Sequence, residues 1–356
     1  MRFVHIDSIK EGMILAKPLL GKNNELLLNR GVVLFSSYVS KIKQQGYNGI
    51  YIEDELSKEI EIPDIIDEKM RFEAVKSVKD VFSSIEEGKG FPCHIYRNLT
   101  DIIDGIVESI LENKAALVNI IDLKAFDNYT FYHCVNVCIL SIVIGKALEF
   151  NKNQLYNLAL TAILHDIGKT FVPKEILNKN GKLTSEEFEI IKTHSSKGYC
   201  YVKDNFDVPA VSYVGILHHH ERYDGNGYPM GMEGEKISLF GRIVSVSDVY
   251  DAITSDRPYR KALPSFEAIE YIMGNSGIAF DPEIAKVFTR KIAPYPVGTS
   301  VRLSNDMTGL IVENYEDCCT RPKIKIFMHG DKEIKPYYIN LKNDCDSLGI
   351  VITGVI

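Results

Sequence analysis

Leu158-Ala159-Leu160-Thr161-Ala162-Ile163-Leu164-His165-Asp166-Ile167-Gly168-Lys169 sets an imidazole and a carboxylate directly behind a strongly apolar helical run. Burying both is costly unless something satisfies them, and one divalent cation satisfies both at once. If the helix runs on, Lys169 projects from the same side, because residues three and four apart share a helix face. An ammonium fixed there reads as a contact for a phosphate oxygen. The bland alternative is a helix end whose histidine and aspartate face water, and the rest of the chain weighs against it.

Six of the nine histidines lie between positions 133 and 220: His133, His165, His194, His218, His219 and His220. The last three open the stretch His218-His219-His220-Glu221-Arg222-Tyr223-Asp224-Gly225-Asn226-Gly227-Tyr228-Pro229, behind the apolar run Val211 to Leu217. Consecutive helical residues are about 100° apart, so the three rings cannot face one way, but two of them reach one ion if the helix ends there. His218 is expected to face away. Asp224-Gly225, Gly227 and Pro229 mark a tight loop that holds Tyr228 in a defined place. Further on, Asp248 and Asp251 lie three apart on the otherwise apolar helix Ile243 to Ile253, again expensive without a cation. Arg257 and Arg260 follow in Asp256-Arg257-Pro258-Tyr259-Arg260, where a guanidinium fork suits bidentate phosphate binding; surface ion pairs to Glu233 or Glu235 are the competing explanation.

Outward from this region, apolar residues recur at three-to-four spacing from Asp64 to about Ile292, as in Ile65, Ile66, Met70, Phe72, Val75, Val78 and Phe82. An all-α core is the plain reading. Both ends instead read as short strands and turns, with five β segments after Pro294 and Pro296 suggesting a small barrel or meander. The expected fold is therefore mainly α, an all-helical core flanked by small β-rich modules. Its divisions are an N-terminal cap or regulatory module over 1–62, linker helices over 63–115, the histidine-bearing catalytic block over 116–293, and a C-terminal barrel-like module over 294–356.

The 356 residues are 45% apolar and 25% charged, the profile of folded protein. Lys and Arg total 41 against 48 Asp and Glu, a formal charge of -7, which excludes duplex nucleic acid or a bulk anionic membrane as the main partner. The seven cysteines are scattered without a CxxC pair, which fits a reducing compartment. Cys134 and Cys138, four apart beside His133, are expected to be core thiols. Charges interrupt the first residues, as no cleavable signal does. The longest greasy stretch, Val135 to Ile144, falls short of the roughly 20 residues a bilayer demands. A cytoplasmic protein without a transmembrane segment is the expectation.

Taken together, His165-Asp166 with Lys169, His194, the run from His219 to Pro229 and Asp248-x-x-Asp251-Ala252 resemble the HD-GYP family, bacterial phosphodiesterases of the HD superfamily that hydrolyse cyclic di-GMP. The resemblance covers about 116–293 and implies an HD-type helical core with two or three iron or manganese ions. It implies that His133, His165, Asp166 and Asp248 hold one ion while Asp166, His194, His219 and His220 hold the other. Asp166 then bridges the pair, and a hydroxide shared between the ions attacks the phosphodiester in line. Asp166 and Lys169 would be catalytic, Lys169 steadying a non-bridging oxygen, with Tyr228, Asp251, Arg257 and Arg260 gripping the substrate. Members with a third metal carry a glutamate where Tyr129 stands here; a phenol is a poor ligand near neutral pH, so two metals are expected. Linear pGpG is then the main product, with onward cleavage to GMP in doubt. Cyclic di-GMP or another cyclic dinucleotide is the expected ligand, and a homodimer or a signalling-protein partner stays open. Two readings compete: a catalytically weak cyclic di-GMP receptor or adaptor, and a mononucleotide phosphohydrolase of the wider superfamily, which has no need of the loop around Tyr228.

Overall fold

The computed structural model describes residues 1–21, 25–45, 47, 49–62, 64–88, 90, 92–113, 117, 129–179, 181–255 and 262–356. Arg257 and Arg260 lie outside the described residues, as does the division expected near 115–116.

The chain opens with β1 (Arg2–His5), β2 (Ile14–Leu15), β3 (Leu19–Leu20), β4 (Leu26–Leu28), α1 (Ser36–Gln44) and β5 (Gly49–Glu53). β5 is the middle strand of an antiparallel sheet between β1 and β2, with Phe3 opposite Tyr51 and Leu15 opposite Ile52. Among the described residues ten helices follow: α2 (Glu68–Glu86), α3 (Cys93–Glu112), α4 (Tyr129–Ala147), α5 (Lys152–Leu164), α6 (Lys174–Leu177), α7 (Ser185–Asn205), α8 (Ala210–His218), α9 (Leu239–Thr254), α10 (Ser265–Gly274) and α11 (Pro282–Lys291). The protein is thus mainly α, with small sheets towards both ends.

Helix α4 is the axis of the core. It packs against α2, α5, α9 and α11, and Cys134, Val135, Val137, Cys138, Ile139 and Leu140 are all fully buried. A helix surrounded by others is apolar all round. That environment explains why Thr130–Ala147 meets the length and composition of a membrane span, which the shorter greasy stretch in the sequence did not, although 72% of that window is buried in the fold. α5 and α7 are started firmly by reciprocal capping boxes, Asn151 with Gln154 and Thr184 with Glu187.

The C-terminal strands are β6 (Ser300–Leu303), β7 (Met307–Glu313), β8 (Lys323–His329), β9 (Lys332–Asn340) and β10 (Ile352–Val355), in the antiparallel order β10-β6-β7-β8-β9. This is a meander whose last strand returns beside its first. The sequence treats the two β-rich ends as separate, whereas in the structure they share one core: Ala16, Tyr51, Ile60 and Ile62 pack with Val301, Leu310, Ile324 and Ile326. Backbone and side-chain bonds sew the seam, Phe3 N–H donating to the Gly298 carbonyl (3.0 Å) and Lys325 Nζ to that of Leu56 (3.0 Å). Small sheets with one apolar face need such a partner to be stable.

Candidate metal centre

Five segments of the helical block converge. His133 sits in the second turn of α4; His165 and Asp166 end α5 and lead into the 3-10 turn Ile167–Phe171; His194 is on α7; His219 and His220 follow the last residue of α8; and α9 carries Asp248 and Asp251. Gly168 explains part of the convergence. A Cβ there would lie 1.8 Å from the His194 carbonyl oxygen and 2.6 Å from Gly198 N, so only glycine lets the turn after Asp166 press against α7.

Three histidines are aimed by their own helices. Nδ1–H of His165 donates to the Ala162 carbonyl (2.7 Å), that of His194 to Ile191 (2.7 Å) and that of His219 to Ile216 (2.6 Å). A carbonyl only accepts, so each Nδ1 carries the proton and each Nε2 turns a lone pair into the site, the second-sphere pattern of metal-ligating histidines. Burial pushes the pKa of His194 down to about 4, against the nearby Asp166, and that of His220 down to about 3, against Asp248; burial lowers His219 well below the usual histidine range. These rings are neutral at neutral pH.

The donors form two trios, His133/His165/Asp166 and His194/His219/His220, each with its ligand atoms within 4.8 Å of one another. Asp166 faces both. Its Oδ2 is 3.4 Å from His165 Nε2 and 3.9 Å from His133 Nε2, while its Oδ1 is 3.6 Å from His194 Nε2. Asp248 also spans the pair, with Oδ1 3.0 Å from His133 Nε2 and Oδ2 3.8 Å from His220 Nδ1. Lys169 Nζ, partly exposed, lies 2.6 Å from Asp166 Oδ2. Burial raises the pKa of both carboxyls, but Lys169 and His165 outweigh it at Asp166, and His133 outweighs it at Asp248, so both are held below the usual carboxylate range.

This donor set fits a pair of divalent cations. Buried His165 Nε2 and Asp166 Oδ1 have no hydrogen-bond partner, and His194 Nε2 faces His219 Nε2 at 3.3 Å although both ring protons are already committed on the other side. Unsatisfied buried lone pairs converging on one space are costly, and a cation relieves them. Burial raises the thiol pKa values of Cys134 and Cys138, keeping both protonated core residues as expected. His218 turns away, its Nδ1 accepting from Ser238 N–H (3.1 Å).

Asp251, expected among the substrate contacts, is buried behind His133, Oδ2 accepting from His133 Nδ1–H (2.6 Å) and Oδ1 from Asn136 Nδ2 (2.9 Å). Burial lowers the pKa of His133, but the hydrogen bonds to Asp248 and Asp251 outweigh it and hold it up at about 9. Asn136, fully buried, lies inside the greasy stretch Val135 to Ile144 and was not singled out from sequence. Its place three residues after His133, on the same helix face, was the available signal.

Tyr228 stands at the mouth. Its ring is 4.8 Å from that of His220 at a 30° tilt, and its N–H donates to the His220 carbonyl (3.1 Å). Glu221, also missed from sequence, anchors the loop: its buried carboxylate accepts from Met230 N–H (2.7 Å) and Met232 N–H (2.9 Å). Gly227 is required where the loop folds back, since a Cβ would be 2.2 Å from Arg222 N. Phe188 and Lys192 of α7 flank the tyrosine, Lys192 Nζ lying 5.8 Å from its ring centre.

Fold and site together define an HD-domain protein, and residues 110–284 match the family described as HD domain. This HD domain carries the residue pattern of the HD-GYP family. It is 40% identical over 235 residues to "Cyclic di-GMP phosphodiesterase PA4108" of Pseudomonas aeruginosa, covering 66% of this chain and 56% of the relative. It is 38% identical over 165 residues to "Cyclic di-GMP phosphodiesterase" of Thermotoga maritima, 46% of this chain and 45% of that one. The chain therefore spans about half the length of these curated relatives. Among solved structures, Bd1817, described as a HDG"Y"P protein from Bdellovibrio bacteriovorus, shares the fold with a TM-score of 0.53 at 18% identity, over 81% of this chain and 97% of that one.

Proposed function

We propose that the chain is a metal-dependent phosphodiesterase that hydrolyses cyclic di-GMP to linear pGpG in the cytoplasm, with iron or manganese as the metal. The observation that carries this reading is Asp166, whose two oxygens face separate trios of ligand atoms. His133, His165, Asp166 and Asp248 hold one ion, and Asp166, His194, His219 and His220 the other. Such a nitrogen and oxygen set without thiolate suits iron(II), manganese(II) or zinc, and the resemblance to the HD-GYP family favours the first two. The ions, when bound, supply positive charge for the phosphate and ease ionisation of water near neutral pH.

The chain's own side chains do the rest. Lys169 is held at the rim of the centre by Asp166, where its ammonium can bind a non-bridging phosphate oxygen. Tyr228 is half-buried against His220 and presents its ring for stacking on a guanine base. Burial raises the pKa of its hydroxyl, so it stays a neutral donor. The cyclic di-GMP phosphodiesterases among its relatives support cyclic di-GMP over a mononucleotide.

Protein purified anaerobically and loaded with iron(II) or manganese(II) is expected to hold about two ions per chain and to convert cyclic di-GMP to pGpG, followed by chromatography. Full metal occupancy with the nucleotide bound but returned intact would remove the phosphodiesterase and leave the receptor.

A further inference from the structure

Helix α2 precedes the residues matched by the HD domain family, yet it reaches the metal centre through a chain of directed hydrogen bonds. Arg71, one turn into α2, donates from Nη1 to Asn136 Oδ1 (2.7 Å); Asn136 Nδ2 donates to Asp251 Oδ1 (2.9 Å); and Asp251 Oδ2 receives the Nδ1–H of His133 (2.6 Å). The polarity of this relay is fixed end to end. A guanidinium can only donate and an ionised carboxylate only accept, so Asn136 has one orientation that serves both. That orientation points its amide at Asp251 and leaves Asp251 Oδ2 for the ring of His133, whose Nε2 is then turned to Asp166 and Asp248.

We propose that Arg71 is a positioning residue for the metal centre: by orienting Asn136 it fixes Asp251 and hence the His133 ring, so that helix α2 sets how tightly the first ion is held. The start of α2 is itself clamped to the N-terminal module, Lys17 Nζ lying 2.7 Å from Asp64 Oδ1 and 3.6 Å from Glu68 Oε1. The β-rich module thereby contacts the first turn of the helix that carries Arg71. The inference rests on the reading that these residues bind metal.

The test uses the full chain loaded with manganese(II) or iron(II) and challenged with graded chelator, the ions retained being counted by mass spectrometry. Arg71→Met keeps the aliphatic stem and removes the fork. Outer partners of metal-bound histidine are commonly worth about 10- to 100-fold in affinity, and R71M is expected to lose one ion per chain at about 10-fold lower chelator while the other is retained as in the unaltered protein. N136A should weaken the same ion, and R71M/N136A should lose no more than N136A alone, because both act through one relay. The melting temperature of the metal-free proteins checks that they are folded; should R71M not fold, R71K, which keeps the charge but not the fork geometry, is expected to show a smaller loss of the same ion. Unaltered protein that binds no ion would sink the metal reading itself. Metal-binding protein whose folded R71M or R71K variants resist chelator as well as the original, or a double variant whose losses simply add, would overturn the role of Arg71 alone.

Discussion

Replacing Gly168 by alanine isolates what the close approach of two backbones does for the centre. The new Cβ would stand 1.8 Å from the His194 carbonyl oxygen, about 1.6 Å short of ordinary contact at 3.4 Å, and both neighbours are main chain, which cannot rotate aside. The turn carrying Asp166 and the helix carrying His194 must separate by roughly that distance. Ligand bonds tolerate about 0.2 Å and reacting groups misplaced by about 1 Å lose on the order of 100-fold in rate. Overpacking of this kind costs about 1–3 kcal/mol, well within the 5–15 kcal/mol of a typical domain, so G168A should fold and melt several degrees lower. The expected result is a protein that keeps the ion near His133, loses the one near His194, and turns over cyclic di-GMP about 100-fold more slowly or worse. Metal counts, a thermal melt and a product assay on one preparation suffice. If G168A binds both ions as tightly as the original and retains its rate, Asp166 and His194 do not share an ion.

Asp251→Asn should weaken metal retention by about 10- to 100-fold; a rise in KM with metal content unchanged would instead restore Asp251 to the substrate. Tyr228→Ala should raise KM about 5- to 150-fold, the worth of one stacked base, while Tyr228→Phe keeps most of the affinity; equal KM values for the alanine variant and the original would exclude stacking. Glu221→Gln leaves a loop N–H facing an amide, at a cost of about 1–3 kcal/mol, and should raise KM with both ions still bound, as metal counts beside kinetics will decide. At Asp54, burial raises the carboxyl pKa, but hydrogen bonds from Ser57 and Arg2 outweigh it and hold it below the usual range. A lowered folded pKa contributes stability above the unfolded value, about 3.9, and loses it as pH falls through the folded one. The melting advantage of the original over Asp54→Asn should therefore shrink in acid below about pH 4, and an advantage that grows there would contradict the pairing.

Much of the centre was legible because the cost of burying a charge is local. His165-Asp166 behind an apolar helix, paired histidines at the end of another and Asp248 on a third each announce a missing counter-charge within a few residues of sequence. The helical core was equally open to reading, since apolar periodicity belongs to each helix by itself. Asp251 shows where this stops. Its spacing from Asp248 marks it as belonging to the site, but spacing does not say whether its oxygens face a substrate or the back of His133, 118 positions away. Asn136 and Arg71 were silent for the same reason: a buried asparagine or a helix arginine acquires meaning only from a partner on another helix, 115 and 65 positions distant.

The amino-acid order by itself determined which elements form, which residues are too costly to bury without an ion, and the family whose pattern they carry. Tertiary structure alone decided which oxygen of Asp166 faces which ring, that Asp251 stands behind a ligand, and that the two β-rich ends are one body. Those outcomes depend on backbones meeting at a distance set by Gly168 and on apolar faces too small to be buried alone, and neither property resides in any single segment of the chain.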